Sequence, residues 1–257
     1  DFYVRDLLTS VGGYDLCVTE FLRVIENVFP KRVFYQICPE IDPKNELFGK
    51  TRSGTPVMLQ FLGHHPGFLA KNAAKAVSLG VTGIDLNFGC PSNSVNRKGS
   101  GAVLLNNPEK IYEIVSTVKQ NLADNVSLSA KMRLGYEDST LALENALAIE
   151  QAGANFLTVH ARTKIDGYRP PAKWSEVNTL IQNLNIPVVM NGEIWSVEDF
   201  KQCQLISECH DIMLGRGAFA LPDLALQLKY YSIDKCLTNY NWYQICQLLS
   251  QFYNLML

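Results

Sequence analysis

Seven short apolar runs recur along the chain, each ending in polar residues or glycine, with helical patterns between them. They begin near Leu16 (LCVTE), Val57 (VMLQFLG), Ile84 (IDLNFGCP), Ser127 (SLSAKMR), Phe156 (FLTVHAR), Val188 (VVMNGEI) and Asp211 (DIMLGRG). Continuous apolar strands alternating with amphipathic helices specify a parallel sheet covered by helices. The helices carry their own punctuation. Asn107-Pro108 reads as an N-cap followed by proline at the first helical position, and Ile111, Ile114, Val115, Val118 and Leu122 keep one stripe. Leu69, Ala73, Ala76 and Val77 form another, with Gly80 as its stop. Ser196 precedes Glu198 and Asp199, acids suited to the positive end of a helix dipole. Residues 2–10 (FYVRDLLTS) read as a further helix.

Seven strand–helix units leave a (β/α)8 TIM barrel one strand short. The chain starts on a helix, so the missing element is the first strand, expected just before Asp1. A doubly wound open sheet competes. The polar residues favour the barrel, because Glu20, Gln60, Asn87, Lys131, His160, Asn191 and Arg216 fall at successive strand ends. An open sheet needs such residues only near its switch point, whereas a barrel converges every strand end on one mouth. After Leu224 the alternation stops. Residues 240–257 space Trp242, Ile245, Leu249, Phe252 and Met256 as one helical stripe. The expectation is a barrel over residues 1–230 and the beginning of an α-helical C-terminal domain, cut off here, over 231–257.

Composition narrows the function classes. With 47% hydrophobic and 19% charged residues among 257, the chain can bury a sizeable core. No apolar run approaches the roughly 18 residues of a membrane span. A formal net charge of -2 means that any polyanion must be met by a local patch. The seven cysteines (Cys17, Cys38, Cys90, Cys203, Cys209, Cys236 and Cys246) are scattered, with no Cys-x-x-Cys. No signal or transit peptide is read, and a reducing cytoplasm is expected. Four histidines form no metal-binding spacing, so no metal is expected. No obligate protein partner is evident.

The densest chemistry is Asp85-Leu86-Asn87-Phe88-Gly89-Cys90-Pro91. A strand ends at Asn87, Gly89 is read as permitting an unusual backbone turn, and Pro91 stiffens the exit. Together they would hold one thiol, Cys90, at the barrel mouth. A buried structural cysteine is the bland reading, and Cys38-Pro39 shows that Cys-Pro alone is weak. Lys131 stands in an otherwise apolar strand, where lysine is costly without a partner. It is either a Schiff-base nucleophile or a counter-charge for a bound anion. Arg133 points the same way two residues on, and His160 and Arg162 end the next strand. Asn191-Gly192-Glu193 and Gly215-Arg216-Gly217 end the last two strands, where barrels frequently hold phosphate. Gln60 offers an amide to a flat heterocycle. The residues alone thus read as a barrel holding a phosphorylated cofactor under a thiol. From His160 to Lys173 four basic residues (Arg162, Lys164, Arg169, Lys173) face one acid (Asp166). Arg97 and Lys98 follow Cys90. This local excess suits a polyanionic substrate, or is an ordinary solvated loop.

As a set, these motifs resemble the tRNA-dihydrouridine synthases over essentially the whole chain. VTEFLRV, VMLQFLG, GIDLNFGCPS, GSGAVLLNNP, AKMRLG, VHARTKIDGY, VVMNGEI and MLGRGA stand in that family's order. VTEFLRV and NGEIW resemble the subgroup acting on uridine 16 of the tRNA D-loop. The resemblance implies an FMN-bearing barrel with NADPH as reductant and a helical RNA-binding domain after it. It places Gln60, Lys131, His160, Asn191, Gly192, Glu193, Gly215 and Arg216 at FMN, with Lys131 and Arg216 at its phosphate. Cys90 becomes the catalytic acid, and Arg23, Asn87, Arg133 and Arg162 approach the tRNA. The implied reaction adds hydride to C6 of a flipped-out uracil and a proton from Cys90 to C5. A family motif in the first strand, Ala-Pro-Met, has no match in this chain. The other readings are an FMN barrel acting on a free pyrimidine or an enone, and a non-catalytic RNA-binding barrel.

Overall fold

The computed structural model describes residues 1–231, 233 and 240–256. Cys236 and Leu257 of the C-terminal segment lie outside the described residues. Helix α1 (Phe2–Val11) leads into the short strands β1 (Cys17–Val18) and β2 (Leu22–Arg23), then helix α2 (Lys31–Ile37). Strands β3 (Val57–Leu62), β4 (Gly83–Phe88), β5 (Ser127–Gly135), β6 (Phe156–Thr163), β7 (Val188–Asn191) and β8 (Asp211–Met213) follow. Helices α3 (Pro66–Ser78), α4 (Asn93–Asn96), α5 (Pro108–Gln120), α6 (Ala142–Gln151), α7 (Trp174–Asn183) and α8 (Val197–Ser207) fill the crossovers. The chain continues as α9 (Arg216–Ala220), α10 (Leu224–Tyr231) and α11 (Trp242–Met256).

The sheet is parallel throughout and runs in chain order. β1 and β2 both pair with β3, so they are two pieces of one interrupted strand. That makes seven strand positions, as the seven apolar runs predicted. Among the described residues β8 and β1 do not pair, and the barrel wall is open between them. Every residue of β3 is buried, as expected for a parallel strand covered on both faces. Its Val57, Leu59 and Phe61 join Ile84, Leu86, Leu128, Ala130, Leu157 and Val159 in one continuous core. Each large apolar side chain so buried contributes about 1.5–3 kcal/mol.

The helix signals hold. Asn107 Oδ1 accepts from the Lys110 N–H at 3.0 Å, and Ile111, Ile114, Val115 and Val118 are buried. Ser196 caps α8 by accepting from the Asp199 N–H at 3.1 Å. Gly80 has φ +106 just past α3. α1 is fastened by a buried two-point pair, Arg5 Nε to Glu40 Oε1 at 2.8 Å and Nη2 to Oε2 at 3.0 Å. α11 packs along α1. Among the described residues no helix is long and apolar enough to cross a membrane.

Candidate active site

The C-terminal ends of β4 to β8 surround a cleft of about 400 Å³. Asn87, Cys90, Lys131, Arg133, His160, Arg162, Asn191, Gly192, Glu193, Gly215 and Arg216 all line it. The topology explains the convergence: in parallel register Asn87 lies beside Lys131, Arg133 beside His160, and His160 beside Asn191.

Cys90 is half-buried. Its turn is tied at several points. The Gly89 N–H donates to Asn87 Oδ1 at 2.9 Å, Arg133 Nε donates to the Gly89 carbonyl at 2.9 Å, and Asn96 Nδ2 donates to the Cys90 carbonyl at 3.0 Å. Gly89 does not adopt the unusual backbone conformation expected of it. Gly89 is absent from the positive-φ residues, and a Cβ there would meet its nearest neighbour at 3.4 Å, an ordinary contact. The glycine that the turn requires is Gly101. Its φ is +74, and a Cβ on it would come within 2.8 Å of the Cys90 carbonyl oxygen.

Lys131 Nζ donates to Asn191 Oδ1 at 2.8 Å. Burial pushes its ammonium down to about 8; Asp85 pulls it upward and Arg133 adds to the fall. His160 is driven down to about 2, first by burial and then by Lys131, Arg133, Arg162 and Arg216. It is therefore neutral at working pH. Arg162 Nη1 lies 3.2 Å from His160 Nε2. A guanidinium can only donate, so Nε2 is the acceptor and Nδ1 carries the proton.

Two arginines read as facing the substrate are internal braces. Arg133 is 1% exposed and donates to the carbonyls of Gly89, Thr163 and Gly167. Arg162 is fully buried, paired with Glu193, and donates to the Arg169 carbonyl at 2.7 Å. Both still border the cleft from behind its surface. Glu193 also accepts from Trp195 Nε1 at 3.2 Å, so its carboxylate is committed to protein. Gln60 and Glu20, read at the mouth, are not on the cleft wall. Gln60 is buried behind it, bonded to Asp85 and Asn87, and Glu20 pairs with Arg5. Arg23 reaches the Ser94 carbonyl at 3.3 Å, beside the loop that follows Cys90.

The structure adds residues that the motifs did not single out. The Arg216 guanidinium lies between Tyr168 and Trp195, 5.2 and 5.1 Å from their ring centres. Tyr168 also stacks near Arg133 and His160. A quoted motif contained each aromatic, but nothing in the local pattern joins residues 168, 195 and 216. Among the described residues no group of three or more His, Cys, Asp or Glu is placed to hold a metal.

Comparison with known proteins bears on this site. The family model for dihydrouridine synthase matches residues 1–256. The tRNA-dihydrouridine(16) synthase of Shewanella oneidensis is 46% identical over 252 residues, covering 98% of this chain and 77% of that protein. That of Ralstonia nicotianae is 49% identical over 229 residues, 89% and 69% respectively. That of Haemophilus influenzae is 46% identical over 255 residues, 99% and 79%. Among solved structures, the crystal structure of the Amycolatopsis orientalis BexX/CysO complex superposes with a TM-score of 0.52 at 15% identity, over 94% of this chain and 90% of that one, a likeness of fold alone. A family match over nearly the whole length and relatives at this identity place the cleft in a known setting: the chain belongs to the dihydrouridine synthase family.

Proposed function

We propose that this chain reduces a uridine of tRNA, at position 16, to 5,6-dihydrouridine, with FMN held in the cleft and NADPH as reductant. The observation that carries the reading is the make-up of one cleft. It joins a tethered thiol, Cys90, to four cationic side chains (Lys131, Arg133, Arg162, Arg216) against one carboxylate, Glu193. The relatives' names supply the substrate.

The residues fit a flat, phosphorylated cofactor. A volume of about 400 Å³ lies within the range of small-molecule sites. A Cβ at Gly192 would come within 2.9 Å of the His160 ring, so this strand end stays open only as glycine. Among the described residues neither Lys131 nor Arg216 forms a salt bridge, so both charges are left for a phosphate. Lys131, His160, Asn191, Gly192, Gly215 and Arg216 would hold FMN, and Glu193 would contribute through its backbone. Gln60 would act from behind the wall.

FMN, when bound, supplies hydride chemistry. The chain's own residues do the rest. Cys90 would hold a proton over the cleft for C5 of the uracil, and the bonds to Gly89 and Cys90 keep its turn in place. Neutral His160 would donate a hydrogen bond through Nδ1. Asn87 lies beside Cys90 for the base, and Arg23, Arg97, Lys98 and Lys164 would meet the RNA backbone. The target base must leave its stack to reach such a cleft. Residues 1–230 form the catalytic unit in this reading and 231–257 belong to an RNA-binding region. A tRNA substrate puts the protein in the cytoplasm.

The test is Cys90→Ala, followed through both half-reactions by stopped flow. Flavin reduction by NADPH needs no thiol and stays near wild type. Uridine reduction slows by about 10²–10⁴, the usual worth of a positioned general acid. Equal slowing of both steps would make Cys90 a packing residue and remove the acid role.

A further inference from the structure

The barrel interior behind the cleft holds a carboxylate that the proposed reaction does not use. Asp85 is 0% exposed on β4. Its Oδ1 accepts from the Ser129 hydroxyl at 2.6 Å, and its Oδ2 accepts from Gln60 Nε2 at 2.6 Å. Gln60 Oε1 accepts from Asn87 Nδ2 at 2.8 Å. Asn87 Oδ1 accepts from the Gly89 N–H at 2.9 Å, next to Cys90. Four hydrogen bonds thus run from the middle of β5 to the thiol's turn through residues on β3 and β4.

The chain of bonds has a direction, and its two ends set it. The Gly89 N–H can only donate, so Asn87 must present oxygen to it. Asp85 accepts at both of its oxygens, from Ser129 and from Gln60, so Gln60 presents nitrogen to it. The two carboxamides satisfy both ends in one head-to-tail orientation. If the inner end became a donor, Gln60 and Asn87 would turn over together. Asn87 would then aim its NH2 at the Gly89 N–H, donor against donor, and the turn would lose its support. Buried polar networks hold a single arrangement when every member is satisfied and fail when one is not.

We propose that Asp85 is a positioning residue: a buried acceptor that orients the Gln60 and Asn87 carboxamides and so holds the Gly89-Cys90 turn. Its bearing on the reaction rests on the reading of Cys90 as the acid, but the structural claim does not. Ser129 is its companion, since that hydroxyl can accept as well as donate. In Asp85→Asn the new amide can turn its NH2 to Ser129 and keep oxygen toward Gln60, so the chain keeps its direction. Removing Ser129 as well leaves that NH2 without its acceptor, so keeping the direction then costs a buried unsatisfied donor.

The experiment compares Asp85→Asn, Ser129→Ala, the double variant and Gln60→Met. Hydrogen exchange of the Gly89 amide is followed by NMR beside dihydrouridine formation on tRNA. Each single change at 85 or 129 is expected to raise Gly89 exchange less than about twofold. The double variant and Gln60→Met are expected to raise it about three- to tenfold, the worth of one lost hydrogen bond. Amides in α5, remote from the chain of bonds, should not follow. Gln60→Met cuts the chain while leaving the Asp85 side chain and its Ser129 bond in place, and serves if the double variant does not fold. Gly89 exchange unchanged in Gln60→Met, or rising only in step with α5, overturns the proposal. Faster Gly89 exchange with dihydrouridine formation intact upholds the structural claim and shows that the order of the turn does not limit the reaction, leaving the acid role to the Cys90→Ala half-reactions.

Discussion

Among the described residues Lys131 has only an amide oxygen for a hydrogen-bond partner, and burial makes its charge titratable. Its folded value of about 8 lies below the ordinary 10.5. Between those values the unfolded chain holds the extra proton, so the burial penalty is full below about pH 8 and is relieved as pH rises toward 10.5. Phosphate binding has the opposite need, because it requires the ammonium. FMN affinity should therefore be level below about pH 8 and fall above it, by up to about tenfold per pH unit. Lys131→Arg keeps its charge throughout and should remove the break. Flavin fluorescence titrations from about pH 7 to about pH 9.5 check this; a wild-type affinity level across that range would take Lys131 off the phosphate. Lys131 was legible because lysine in an apolar strand demands a reason. Arg133 and Arg162 were legible only in part. Strand alternation gives the face a side chain leaves from, but a long arginine can end on carbonyls behind the wall. Both do so here.

At the level of elements, the seven strands were legible because each is a short apolar run with a polar or glycine stop. The second piece of the first, Leu22–Arg23, was not, since the run LCVTE stops at Glu20. The turn glycine was also misplaced. Local pattern drew attention to Gly89, whereas the constraint comes from a spatial approach between residues 90 and 101, which no window of sequence shows. Gly101→Ala should then incur two penalties: a positive φ, about 1–2 kcal/mol, and displacement of the Cys90 carbonyl. A total loss of about 2–4 kcal/mol is expected, with a changed rate of Cys90 alkylation. Gly54→Ala is the comparison, at φ +89 with nothing within 4 Å of the new Cβ. It should lose only the backbone part and leave Cys90 untouched. Equal losses in urea unfolding would show that the Gly101 contact with Cys90 carries no energy.

For the whole molecule, a net charge of -2 conceals how the charges are spread. The excess read from His160 to Lys173 does not all face outward. Arg162 is fully buried and paired with Glu193, and Lys173 pairs with Asp166 at 3.2 Å. Arg97 and Lys98 are exposed on the loop after Cys90, and Lys164 lies on the Tyr136 ring at 4.8 Å. Among the described residues none of these three forms a salt bridge. If tRNA crosses the barrel mouth, these three meet its phosphates while the buried arginines do not. Each phosphate contact contributes roughly 0.7–0.9 to the slope of log affinity against log salt. Replacing Arg97, Lys98 and Lys164 by alanine should therefore lower that slope by about 2 and weaken binding most at low salt. Arg162→Ala should behave differently, leaving Glu193 as an uncompensated anion beside His160 and reducing flavin content before any effect on the salt slope. Filter binding of tRNA at several salt concentrations, with flavin content measured on the same samples, separates the two. An unchanged slope in the triple variant would move the RNA path off this rim. A slope that fell in Arg162→Ala at full flavin content would return that arginine to the RNA.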